Sequence, residues 1–332
     1  MTNIRVAIIS FEHMHAFSYA AAFQHIKGAT LTAVADSSPE RLNKVRNDFP
    51  FIGAFYGDYV AMLDHSEIDA VIIASPNSEH KEIAVECARR KKHIMCEKPL
   101  ATTIADAQEI IKAASDAGVK LMTAFPVRFS PPIERLRELV QAGKLGQVLG
   151  ASTSNHGTMP GSWFVDKAKS GGGAVIDHTV HVADVLRWVL DDEVETVYAE
   201  YDTRLHDLQV DDVGQLLMRF RKGAVVSLDT SWSRPKSYST WGDVKIEMKG
   251  TEANVNVNCF PQQINTFSDA TMRHTGFAAG PDLDLLMIEE FLSCIRENRA
   301  PRVTGEDGLK AVEIALAAYE AGRTKKPVAL AP

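Results

Sequence analysis

The chain has 332 residues, 45% hydrophobic and 24% charged, which suits a globular protein of about two domains and excludes intrinsic disorder and collagen-like repeats. Acidic residues outnumber basic ones, 43 to 36, for a net charge of −7. That balance argues against a general nucleic-acid or anionic-membrane binder, whose phosphate contacts need clustered Lys and Arg.

Ile4–Ile9 reads as a short buried strand ending at Ser10. It is too short for the apolar region of a signal peptide, and no later stretch approaches the ~20 apolar residues of a membrane span. Helix is expected over 16–24, strand over 30–35 and helix over 39–47, with Ser37 and Ser38 as cap candidates and Pro39 in the first turn. Strand 70–74, helix 79–90, strand 93–96, helix 104–117 and strand 120–124 follow. Such alternation predicts a parallel sheet covered on both faces, with its ligand beyond the carboxyl ends of the strands. Polar residues gather at those ends: Ser10, Asp36, Ser75 to Asn77, and Glu97 to Pro99.

The second part reads differently. Helix is expected over 131–142, strand over 148–155, and a long helix over 175–190 after Gly171-Gly172-Gly173. Alternating segments over 196–205, 214–232 and 244–258 predict antiparallel strands, and helices over 285–297 and 308–323 close the chain. The expected domains are 1–124 and 125–332. Cys87, Cys96, Cys259 and Cys294 lie far apart, as expected of reduced thiols in a cytoplasmic protein.

Asp36 ends the second strand, where an acidic residue of a dinucleotide-binding unit meets the ribose hydroxyls. There it favours NAD over NADP, because it repels a 2′-phosphate; the competing role is a cap for the next helix. The loop before it lacks the expected Gly-x-Gly-x-x-Gly and has Ser10-Phe11-Glu12-His13-Met14-His15. Glu12 places a carboxylate where pyrophosphate normally lies, and two unit charges ~4 Å apart repel by about 4 kcal/mol at an effective dielectric of ~20. Either the loop takes another path, with His13 or His15 donating to the phosphates, or dinucleotide binding is weak or absent, or these side chains serve local capping and packing.

Two further signals stand apart in the chain. Lys98, followed by Pro99, sits in extended backbone at a strand end, from which it can project over the sheet. Asp177 and His181 are four apart on a predicted helix, so they share one face, and the carboxylate can orient the imidazole. His178 lies round the helix with Val182 and Val185 and reads better as a core histidine.

With these residues assembled, the chain resembles the Gfo/Idh/MocA oxidoreductases over nearly its whole length. The resemblance rests on Ala33-Val34-Ala35-Asp36, on Ala74-Ser75-Pro76-Asn77 with His80, on Glu97-Lys98-Pro99-Leu100-Ala101, on Arg128-Phe129 with Gly143-x-x-Gly146, and on Gly-Gly-Gly…Asp177-x-x-x-His181. It implies an N-terminal Rossmann domain, a C-terminal α+β domain with a large, mostly antiparallel open sheet, and hydride transfer between a nicotinamide cofactor and a sugar, inositol or related polyol. It implies His181 as proton acceptor, Lys98 as the group binding the reacting hydroxyl, and Asp177 as their partner. It also implies a cofactor site along Ser10, Phe11, Glu12, His13, Met14, Asp36, Ser75, Pro76, Asn77, His80, Glu97, Lys98 and Pro99. Arg128, His156, Trp163, Asp166, Lys167 and His178 are candidate substrate contacts. No metal is expected for this function.

Two competing functions remain at this stage. One is a metal-assisted hydrolase or isomerase using His156, Asp177, His178 and His181; the other is a non-enzymatic sugar-binding protein with a decayed loop. The alternating strands predict a sheet face left for a second copy, hence a homodimer or homotetramer.

Overall fold

Short apolar strands alternating with helices, three of them capped by a side chain, build the first half of the chain. In the computed structural model, which describes residues 3–238, 242–260, 263–278 and 280–331, β1 (Ile4–Ile9), α1 (His15–Ala22), β2 (Ala29–Ala35), α2 (Pro39–Asp48), β3 (Ala54–Tyr56) and α3 (Tyr59–His65) come first. β4 (Ala70–Ile73), α4 (His80–Arg89), β5 (His93–Cys96), α5 (Ile104–Ala117) and β6 (Leu121–Thr123) follow. The six strands form one parallel sheet in the order β3-β2-β1-β4-β5-β6, that of a doubly wound dinucleotide fold. Caps set the helix starts: Ser38 Oγ accepts from Arg41 N–H at 3.3 Å, Asp58 from Ala61 N–H at 2.8 Å, and Thr103 Oγ from Asp106 N–H at 3.1 Å. β3 and α3 are additions to the sequence expectation; three residues of strand and seven of helix are too short for periodicity to declare.

The chain continues as α6 (Pro131–Gln141), β7 (Val148–Gly157), α7 (Lys167–Ser170), α8 (Ala174–Leu190), β8 (Val194–Asp202), β9 (Val213–Phe220), β10 (Val225–Asp229), β11 (Gly242–Gly250) and β12 (Asn254–Asn258). Then come the hairpin β13 (Gln263–Ser268) and β14 (Arg273–Ala278), α9 (Leu283–Arg296), α10 (Gly305–Thr324) and β15 (Val328–Ala329). Seven strands form the second sheet, in the order β12-β11-β7-β10-β9-β8-β15. Only β7 and β10 pair in parallel, so the expected mostly antiparallel sheet is present. One face packs Val197, Ala199, Leu216, Met218, Phe220, Val226 and Leu228 against α8. On β9 the alternate residues point away from it, and Leu217 is 48% exposed.

The chain divides into two compact units. The first holds the residues up to Pro126, Ala168–Gly171 and Leu283–Val312; the second holds Val127–Lys167, Gly172–Asp282 and the chain from Glu313. Sequence order alone put Leu283–Val312 with the second domain. α9 instead packs on α1 and buries Met287, Ile288, Phe291, Leu292 and Cys294. Ser18 Oγ donates to Asp284 at 2.6 Å, and Arg296 donates to Gly28 O at 2.9 Å. All four cysteines are free and buried. No helix among the described residues is long and apolar enough to cross a membrane.

Candidate functional site

In the first unit the polar strand ends form two groups. Ser10 has φ 69°, the left-handed region that glycine occupies at the first position of a dinucleotide loop. The turn is thus kept without the glycine, and Ser10 Oγ accepts from Glu12 N–H at 3.1 Å. Asp36 holds this turn from the next strand. It accepts from Phe11 N–H at 2.7 Å, from Ser38 N–H at 2.7 Å, and from Arg41 Nε at 2.9 and 3.0 Å. Arg41 Nη2 also donates to Glu12 Oε1 at 2.8 Å. The Glu12 carboxylate therefore has a counter-charge, and the repulsion expected from the sequence is offset by a cation one turn into α2. A cavity of about 330 Å³ opens here, with Ser10 beside five carboxylates, Glu12, Asp36, Asp58, Glu79 and Glu82. Burial and then the nearby Glu12 raise the pKa of Glu79.

The second group lies under the same loop. Glu97 is fully buried at the end of β5. It accepts from the Tyr19 hydroxyl, from Lys98 N–H at 3.0 Å, and pairs with His15 Nδ1 at 3.0 Å; His13 Nε2 lies 3.9 Å from its other oxygen. Burial opposes its ionisation, but the two imidazoles outweigh burial and hold its carboxyl well below the usual range. Met14 is exposed before α1, and Phe11 packs edge-on against Phe17.

Several expected cofactor contacts are backbone ties. His80 is fully buried, with Nδ1 3.0 Å from Pro99 O and Nε2 3.1 Å from Ser75 O. Burial lowers its pKa, so a neutral ring serves one carbonyl at a time and joins the ends of β4 and β5. Asn77 donates to Ser170 O at 2.8 Å. Ser75 and Lys98 are buried, and the Lys98–Pro99 peptide is cis.

In the second unit a carboxylate caps the long helix from 36 residues downstream. Asp211 accepts from Val175 N–H at 2.7 Å, from Gly173 N–H at 3.1 Å and from the Tyr319 hydroxyl at 2.8 Å. A Cβ at Gly173 would meet Asp211 O at 1.9 Å, so the chain needs glycine there. Asp177 and His181, each 5% exposed, lie on this helix. Asp177 accepts from Trp232 Nε1 at 3.1 Å, and His178 Nε2 lies 3.4 Å from the same oxygen. His178 Nδ1 sits 3.0 Å from Thr230 O. His178 is thus a buried support for Asp177, close to the core role its spacing suggested.

The remaining candidates separate. Arg128 makes a two-pronged pair with Asp184, at 2.7 and 2.5 Å, with both side chains buried. Trp163 stacks on Phe164 with centroids 3.9 Å apart, Asp166 N–H returns to Trp163 O, and Lys167 opens α7. His156 belongs to a different cluster, 3.2 Å from Asp229 and 3.3 Å from Asp243, with Arg234 Nη2 bound to Asp243 and 3.1 Å from His156 Nδ1. Among the described residues, His156, Asp177, His178 and His181 do not gather within ligand distance of one ion. Tyr19, Arg41, Asp211 and Trp232 escaped the sequence reading. Arg41 alone had a local signal, standing five residues after Asp36.

The His156 cluster gives a pH expectation. Hydrogen bonds to Asp229 and then Asp243 raise His156 from 6.5 to about 9. Despite burial, the bond from His156 lowers Asp229 to about 2. The imidazolium's contribution to stability is complete below pH 6.5 and is lost as pH rises through 9; the carboxylate's is complete above 3.8 and is lost toward pH 2. The melting-temperature gap between wild type and His156→Ala is therefore expected to be widest between those limits and to shrink by pH 10. A gap independent of pH would refute the ion pairing.

Residues 4–125 match the model of an oxidoreductase family with an NAD-binding Rossmann fold, and residues 133–256 match the GFO/IDH/MocA C-terminal domain. The chain is 27% identical to the myo-inositol 2-dehydrogenase of Thermotoga maritima over 317 residues, 92% of each protein. It is 30% identical to the 1,5-anhydro-D-fructose reductase of Ensifer adhaerens over 268 residues, 78% of each. A solved structure of a probable dehydrogenase from Thermotoga maritima superposes with a TM-score of 0.84 at 25% identity, covering 98% of both chains. With a parallel sheet of the dinucleotide-binding order, a kept left-handed turn at Ser10 and both domains matched, the chain belongs to the Gfo/Idh/MocA oxidoreductase family.

Proposed function

We propose that this protein is a dehydrogenase that uses NAD rather than NADP and acts on a hydroxyl of a sugar, inositol or related polyol. The turn at Ser10, held by Asp36 above an acid-rich cavity, carries the reading. The residues fit a dinucleotide: Ser10 to Met14 and Asp36 would hold it, and when bound it supplies the acceptor or donor of hydride. Five carboxylates around the cavity disfavour a 2′-phosphate, and Arg41 is engaged by two of them, Asp36 and Glu12. The curated relatives support the substrate class through their inositol and anhydrosugar activities.

The chain's own groups take these parts. His181 accepts the proton of the reacting hydroxyl during oxidation. Lys98 binds that oxygen and stabilises the negative charge that develops on it. Asp177, fixed by Trp232 and His178, holds the imidazole or a neighbouring hydroxyl. Calorimetry is expected to show NAD binding at least tenfold tighter than NADP, a difference of about 1.4 kcal/mol. Asp36→Ala is expected to narrow that preference. Failure of both dinucleotides to bind at millimolar concentration removes the reading.

The exposed face of the second sheet, with Leu217 on β9 and Val225 on β10, supports a homodimer or homotetramer. Light scattering is expected to give a multiple of the chain mass, reduced in Leu217→Glu; a monomer at micromolar concentration contradicts this.

A further inference from the structure

The loop that replaced the glycine fingerprint brings two imidazoles to a buried carboxylate. His15 Nδ1 lies 3.0 Å from Glu97 Oε1, His13 Nε2 lies 3.9 Å from Oε2, and one donor atom from each of the three residues falls within 4.8 Å of the others. Zinc binds His nitrogen and carboxylate oxygen at about 2.0–2.2 Å, so tetrahedral donors stand roughly 3.3–3.5 Å apart. The two carboxylate–imidazole distances bracket that spacing.

We propose that His13, His15 and Glu97 bind one divalent transition-metal ion, of zinc-like preference, with its fourth position open. Two nitrogens and one carboxylate form the donor set of an open zinc centre rather than a closed structural one. Two imidazoles also select against magnesium and calcium, which prefer all-oxygen surroundings. The carboxylate is already braced, since the Tyr19 hydroxyl donates to Oε1 and Lys98 N–H to Oε2. Ligating carboxylates are commonly oriented by such outer partners.

Protons stand where the ion goes. His15 N–H reaches His13 Nδ1 at 3.2 Å, which puts the His13 proton on Nε2, toward Glu97. Metal binding releases the imidazole protons that face Glu97 to solvent and exchanges the 3.0 Å His15–Glu97 contact and the longer 3.9 Å His13–Glu97 approach for metal ligation. Entry is from the His15 side, whose side chain is 24% exposed while Glu97 is fully buried.

The test uses the full chain purified without metal-affinity resin and needs neither substrate nor dinucleotide, so its result is independent of the proposed dehydrogenase activity. Zinc added to the chelator-treated protein is expected to bind at one ion per chain and to raise the melting temperature. Cobalt in its place is expected to give the visible bands of a four-coordinate site. The His13→Ala/His15→Ala variant is expected to lose affinity by on the order of 100-fold or more, whereas His25→Ala, at an exposed histidine, leaves it unchanged. Should the double variant fail to fold, the wild-type cobalt spectrum and stoichiometry still decide. Uptake well below one equivalent, absent cobalt bands, or equal binding by a folded double variant overturns the proposal.

Discussion

His181→Ala is expected to reduce turnover by about 10²–10⁴-fold, the usual contribution of one positioned acid–base group. Lys98→Ala is expected to fall in the same range, with the larger share of its loss in kcat, because the ammonium is proposed to meet charge that grows in the transition state. The assay follows NAD reduction with a panel of inositols, aldoses and anhydrosugars. Both residues are buried, so each variant is first checked for its melting temperature and for NAD binding. Turnover unchanged in a folded variant removes that residue from the mechanism. NAD binding without turnover of any polyol would point instead to a sugar-binding protein.

The largest expected loss of stability lies elsewhere. Arg128→Ala leaves Asp184 buried without its two-pronged partner, and breaking a buried pair in this way costs about 3–5 kcal/mol. The packing of Arg128 on Trp188, 5.6 Å from the ring centroid, goes as well. Calorimetry should show a fall on the order of 10 °C in the transition of the second unit. Replacing both partners, as Arg128→Met with Asp184→Leu, should recover most of it, since an apolar pair leaves no stranded charge. A single variant as stable as wild type would show that Asp184 finds another partner.

These two residue sets show how far the chain could be read in advance. The alternating strands and helices of the first half were legible because β1, β2, β4, β5 and β6 fall in short apolar runs and α2 begins at a Ser38 cap with Pro39 in its first turn, whereas the short β3 and α3 were not. The Gfo/Idh/MocA family was legible from the order of its motifs. Arg128 was not: an arginine beside a motif reads equally as a ligand contact or as an ion pair. Only the fold brings Asp184, 56 residues away, to its guanidinium. The charge at Glu12 was visible, but its neutralisation by Arg41, 29 residues on, was not. Asp211 and Trp232 gave no local signal, because the helix end and the carboxylate they serve become neighbours only when the second sheet forms.

The return of α9 to α1 bears on how the protein is made. The first unit needs Leu283–Val312, so a ribosome that has released Pro126 has not yet released all of that unit's core. Until α9 emerges, the face of α1 that it covers stays open to water. Folding of this unit during synthesis must therefore wait for nearly the whole polypeptide, and a nascent chain halted before residue 283 should be a target for chaperones and proteases.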